Sequence, residues 1–255
     1  MQDRASKTKG LIWLAAAVLL GGLCASGLSP LAHAIPWRME KELGDALAPT
    51  LPSISCHNQG QADLLLQRLV MRLYPIRPGD DAFSIEVKLV ESPEINAYAT
   101  LGGHIYINSG LLAKAGSPEE LAGILAHEIE HVHHRHIMEA TLMHLFTIGG
   151  LQMVFGDSSS AEWAKYFLNL DFTRSQEKQA DQEGLRRLQK AHIDNQGFRH
   201  FFERMEKTES AAAFLSDHPS SESRHEMTEK FSNQDIKPIM TEGEWLVLKD
   251  YCHRE

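Results

Sequence analysis

Leu125-Ala126-His127-Glu128-Ile129-Glu130-His131 is the stretch on which the reading of this chain turns. It contains an H-E-x-x-H pentad within a run of helical spacing. Residues four apart lie one above the other on a helix, so His127 and His131 can offer two imidazoles to one metal ion. Glu128, one residue round, is placed to act on a water held by that ion. Leu121, Ile124, Leu125, Ile129 and Val132 form an apolar stripe, and Glu128 falls inside it. A carboxylate on the buried arc of a helix is costly unless a cation or a reaction uses it. A solvated His-rich helix would account for His133, His134 and His136 but not for the position of Glu128.

Upstream, Ser117-Pro118-Glu119-Glu120 has the order of a capping box: Ser at the cap, Pro in the first turn, Glu at the third helical position. Two histidines do not complete a catalytic zinc site, which uses three protein ligands. The metzincin extension is absent, because His134 and Ile137 stand where its Gly and third His belong. A later helix must supply the ligand, and Thr173 to Gly184 is the candidate. Glu177 and Asp181 share a face four residues apart. Glu177 can ligate, while Asp181 can accept the outer N–H of a liganding imidazole. Ala180 permits close approach of two helices. His136, His144 and Glu183 are the alternatives for the third ligand.

A length of 255 residues suits one domain with short appendages. The net charge of −9, with no Lys/Arg run, argues against nucleic acid as a partner. Arg4, Lys7 and Lys9 precede an uncharged apolar run from Leu11 to Leu23, and Ala32-His33-Ala34 follows Pro30 as an A-x-A signal. Residues 1–34 are therefore expected to be a signal peptide and 35–255 the functional domain. The other reading keeps the apolar run as an uncleaved anchor. Cys24 leaves with the leader, so Cys56 and Cys252 remain either as a disulfide or as two thiols.

Helices are expected over Met39–Leu47 and Ala62–Tyr74, and a half-buried strand over Phe83–Leu89. Two short strands, Ile95–Thr100 and His104–Asn108, meet at Gly102-Gly103. A turn of helix is expected near Leu111–Ala115. Met138–Phe155 reads as a core helix or helical hairpin, too interrupted by Gly149-Gly150 to span a membrane. Helices resume from Ala161 to Leu188 and at Phe198–Glu206, with surface loop and short helix from Lys207 to Asn233.

Taken together, these motifs resemble metallopeptidase family 48, the gluzincins that include HtpX-type and prenyl-CAAX proteases. The soluble periplasmic BepA-type branch is the most similar, over roughly Ile95 to Arg224. His127-Glu128-x-x-His131 with Arg135-His136 is similar to the family's metal helix. Arg174-x-x-Glu177-x-x-Ala180-Asp181-x-x-Gly184 matches its second motif, which implies Glu177 as ligand and Asp181 behind a liganding histidine. Asn96-Ala97-Tyr98-Ala99 and Gly102-Gly103-His104-Ile105-Tyr106-Ile107 look like the strand segment over the family's cleft. The resemblance thereby marks Asn96, Ala97, Tyr98, Gly103 and His104 for substrate binding. His218-Pro219-Ser220-Ser221-Glu222-Ser223-Arg224 resembles a later His-Pro…Arg motif. The tetratricopeptide domain of BepA-type proteins and the transmembrane pairs of HtpX-type members have no counterpart in this sequence.

The resulting expectation is a mostly helical α+β single-domain gluzincin with a small β-sheet packed against the H-E-x-x-H helix. One Zn²⁺ per chain is expected on His127, His131 and Glu177, with Glu128 as general base. His218 is expected near the metal, either as a latch or, with Arg224 as a further candidate, as a stabiliser of the oxyanion. Substrates would be extended peptides of unfolded or misassembled cell-envelope proteins in the periplasm, added to a strand edge. Association with outer-membrane assembly machinery rests on family analogy. The rival from another class is a zinc-binding chaperone or binding module with little proteolysis.

Overall fold

A computed structural model describes residues 27–51, 59–76, 84–146, 160–208, 211–218, 224–231 and 235–251. In chain order its helices and strands are α1 (Ser29–Ala34), α2 (Trp37–Leu47), α3 (Gln59–Leu73), β1 (Glu86–Val90), β2 (Ala97–Ala99), β3 (His104–Asn108), α4 (Ser109–Lys114), α5 (Pro118–His133), α6 (His136–Phe146), α7 (Ser160–Leu168), α8 (Arg174–Lys190), α9 (Gln196–Met205), α10 (Ala212–Asp217), α11 (Arg224–Lys230) and α12 (Glu242–Lys249). The architecture is mostly helical with a single three-stranded sheet among the described residues.

Helix α5, which carries the pentad, is the axis of the molecule. Every residue from Glu120 through Val132 is buried. A helix buried all round needs cover on every side. It receives that cover from α8, α9, α3 and the β2 strand. The approach of α8 is close because Gly184 lies opposite the α5 backbone, where an added Cβ would stand 3.3 Å from the His127 nitrogen. Ala180 on the same face is fully buried, as its small size suggested.

The start of α5 departs from the expected capping box. Ser117 Oγ accepts from the Glu120 N–H at 3.3 Å, as a cap should. The Glu120 carboxylate instead accepts from the Gly116 N–H at 2.6 Å and pairs with Arg204 on α9. A guanidinium is a stronger partner for a carboxylate than one backbone amide, so the inter-helix pair displaces the reciprocal bond. Helix α8 has the complete box, between Thr173 and Gln176.

The sheet order is β1-β3-β2, with β1 parallel and β2 antiparallel to the central β3. The β2–β3 turn passes through Gly102 (φ 81°) and Gly103 (φ 79°), left-handed geometry that favours glycine. At Gly103 a Cβ would lie 2.3 Å from the Ser84 carbonyl oxygen, so no other residue fits there without movement.

Helix α12 was not anticipated, although Thr241 and Glu244 form a full capping box that the sequence displays. Helix α1 lies where the end of a leader was expected. The residues around Gly149-Gly150, and the cysteines Cys56 and Cys252, fall outside the described residues. Among the described residues no helix is long and apolar enough to cross a membrane.

Candidate metal centre

Two helices and the C-terminal cap of a third bring four side chains to a point. Helix α5 supplies His127 and His131, α8 supplies Glu177, and the residue ending α10 is His218. All four are buried, and one donor atom from each lies within 4.8 Å of the others. His127 Nε2 is 3.1 Å from His131 Nε2 and 3.3 Å from His218 Nδ1. The Glu177 carboxylate is 3.5 Å from His127 Nε2, 3.2 Å from His131 Nε2 and 3.5 Å from His218 Nδ1. Four ligands at a zinc bond length of about 2.0–2.1 Å form a tetrahedron with edges of about 3.3 Å. The five spacings given, 3.1–3.5 Å, are close to such edges, and the donor set of three imidazoles and one carboxylate suits zinc.

The atoms behind the donors are consistent with this orientation. His127 Nδ1 faces Asp181 Oδ1 at 3.1 Å. His131 Nδ1 faces His136 Nδ1 at 3.2 Å, and His136 Nε2 faces Gln179 Oε1 at 3.4 Å. With His131 Nε2 directed at the cluster, its Nδ1–H donates to His136, whose own proton then sits on Nε2 and points to Gln179. His136 thus stands behind a candidate ligand and is not one itself. Its position was signalled by the adjacent pair Arg135-His136. Arg135 adopts φ 61° at the turn from α5 to α6, which swings His136 back towards His131.

Burial drives the electrostatics. It lowers the pKa of His131 to about 4 and that of His136 to about 3, so both imidazoles are neutral and able to accept or ligate. Burial pushes Glu177 upward, but His127, His131 and His218 outweigh it and hold the carboxyl far below its usual range. Burial raises Glu128, only partly opposed by His218 and His127. A carboxylate with elevated proton affinity suits a general base.

His218 reaches the cluster through Nδ1, while its Nε2 lies 3.5 Å from Glu128 Oε1. One nitrogen of its ring thus faces the other donors and the second faces the base. Phe214 and His127 pack against it, with ring centroids 5.1 Å away in each case.

The strand residues divide. Asn96, Ala97, Tyr98 and Ala99 line one hollow with Glu128 and His218. Gly103 and His104 lie elsewhere: Gly103 abuts Ser84 and Trp37, and His104 is buried between Asp45 (2.9 Å) and Glu86 (3.3 Å). The reason is topological, since β3 is the central strand and only β2 presents a free-running edge on this side. That edge is covered. Phe167, Leu168, Leu170 and Phe172, at and beyond the end of α7, close over it and leave a void of about 10 Å³. Sequence periodicity placed a helix there but gave no sign that its end would seal the cleft.

The remaining candidates are accounted for. His144 stacks on Tyr166 at 4.2 Å, and Glu183 pairs with Arg186. Residues 219–223 and the side chain of Arg224 lie outside the described residues.

The chain is similar to several known metalloendopeptidases. The bovine "Metalloendopeptidase OMA1, mitochondrial" is 28% identical over 181 residues, covering 63% of this chain and 35% of that protein. The fission-yeast (Schizosaccharomyces pombe) "Mitochondrial metalloendopeptidase OMA1" is 29% identical, covering 72% of this chain and 54% of its own. The "Beta-barrel assembly-enhancing protease" of Yersinia pestis is 29% identical, covering 60% of this chain and 35% of its own. The matched region thus spans a third to a half of each of these relatives. A family model described as "Peptidase family M48" matches residues 66–231, from α3 through α11, and the chain belongs to that family.

Proposed function

We propose that this protein is a zinc-dependent endopeptidase whose resting form is closed. The observation that carries the reading is the set of four buried donor groups drawn together at one point, with the Glu128 carboxylate beside them. His127, His131 and Glu177 would hold the zinc, and Asp181 and His136 would orient the two histidines. Zinc held there would supply Lewis acidity, making water beside it more acidic. Glu128 takes the proton of the attacking water and returns it to the departing amine. The β2 edge aligns an extended peptide through backbone hydrogen bonds, which demand little of its sequence.

His218 is read as a latch. With zinc bound, its Nδ1 would serve as a fourth donor, and its Nε2, 3.5 Å from Glu128 Oε1, would stand in front of the base. Phe167–Phe172 cover the strand that would take the substrate. Substrate entry requires both to withdraw. Export to the periplasm, and unfolded or misassembled envelope proteins as substrates, are part of this proposal. They are supported by the positively charged leader-like N-terminus and by the name of the β-barrel assembly-enhancing relatives. The occlusion also favours a second reading, a zinc-bound binding module that seldom cuts.

Metal analysis and casein hydrolysis of purified protein, wild type beside Glu128→Gln, separate the two. The protease reading expects stoichiometric zinc in both and a loss of activity of about 10²–10⁴-fold in the variant. Equal activity in the two proteins overturns Glu128 as base. No hydrolysis by wild type, even after His218→Ala, favours the binding module.

A further inference from the structure

The triplet Ala32-His33-Ala34 reads as a leader-peptidase site, yet the fold treats the residues before it as part of the domain. Ser29–Ala34 form helix α1, with Pro30 in its first turn, the position where proline is tolerated and preorganised. His33 Nδ1 lies 2.8 Å from the Ser29 carbonyl oxygen. Leu28 is 3% exposed and Ala32 is fully buried. The helix packs against α6, the helix that begins with His136.

The contacts continue into the metal helix. Arg135, in the left-handed turn between α5 and α6, donates one arm of its guanidinium to the Ile35 carbonyl oxygen and the other to buried Glu40. That turn is what presents His136 to His131. A cut after Ala34 would remove Leu28 and Ala32 from the core. It would also place a new ammonium group on Ile35, the residue whose carbonyl holds the Arg135 guanidinium. Two like charges would then lie close together at one partly buried corner.

We infer that residues Leu28–Ala34 remain in the mature enzyme as a structural helix that buttresses the α5–α6 turn, and that the chain is not cut after Ala34. Gly27, the residue before Leu28, has a φ of +74°, in the left-handed region. A second small-x-small triplet, Ala25-Ser26-Gly27, ends at that same point. Retention is therefore compatible with cleavage after Gly27 and with no cleavage at all.

The test is the mature N-terminus of the full-length chain produced in an exporting bacterial host, read by intact mass and N-terminal sequencing. A start at Leu28 or earlier is expected; a start at Ile35 or beyond overturns the inference. Two variants give independent readings. Ala34 is exposed, so Ala34→Leu destroys the small-residue site without disturbing packing, and the mature mass should change only by the substitution. A product lengthened by residues 28–34 would show that wild type is cut there. Leu28→Ala should lower the thermal midpoint by several degrees, whereas an unchanged midpoint would mean that the residue is not in the folded protein.

Discussion

The two faces of helix α5 carry almost the same residues and do opposite things with them. On one face His127 and His131 meet Glu177 and His218. On the other, Glu130 lies 3.4 Å from both His133 Nδ1 and His134 Nε2, and Glu183 stands nearby on α8. Composition alone would nominate either as a metal site. On the far face, however, Arg187 donates to Glu130 at 2.5 Å and also touches His133, while Arg186 pairs with Glu183. A guanidinium already sits where a cation would go. On the near face imidazoles surround Glu177, and their donor atoms converge on one point instead of on a basic side chain. The far face also has the larger hollow, about 430 Å³, whereas the void beside Glu128 is about 10 Å³. In this molecule the convergence of donors marks the chemistry better than cavity size does.

The comparison is most sharply tested by matched carboxylate variants. Glu177→Ala should lower zinc occupancy sharply and abolish proteolysis, because it removes the only carboxylate of the donor set and leaves three imidazoles, of which His218 sits where the water is needed. Glu130→Gln should keep one zinc per chain. Elemental analysis after dialysis decides, and loss of zinc from Glu130→Gln would erase the distinction between the faces.

A smaller effect is expected one layer out. Asp181→Ala and His136→Ala should each weaken zinc binding by roughly 10–100-fold, the usual cost of removing a group that orients a ligand. Competition with a chelator measures it. If only Asp181→Ala responds, the imidazole pair His131–His136 is packing and not orientation.

His218→Ala sharpens the account of the near face. Freed from the ring that faces both Glu128 and the metal donors, the variant should show higher basal casein hydrolysis at unchanged zinc content. Lower activity would assign His218 to the transition state and not to a latch. The smallest effect belongs to the far face. Arg187→Ala leaves buried Glu130 without its guanidinium and should cost roughly 1–2 kcal/mol in a urea melt, discounted for the partial exposure of the arginine, with zinc stoichiometry intact.

What the sequence by itself determined was local. Residues four apart on a helix must share a face, so His127 with His131 and Glu177 with Asp181 were legible as pairs, as were the Ser117 cap and the glycine turn at Gly102-Gly103. The family resemblance added His218 near the metal, but with two opposed roles. Only the tertiary structure decided the rest. His218 is 91 residues from His127, and only packing fixes which of its nitrogens faces the donors and which faces Glu128. His104 alternates correctly for a strand, yet the sheet order puts β3 in the middle and turns that side chain to Asp45 and Glu86. The sealing of β2 by Phe167–Phe172, and the hold of Arg135 on Ile35 and Glu40, join segments far apart in the chain. Helical and strand periods report which way a side chain points from its own backbone. They carry no information about what the rest of the chain brings to meet it.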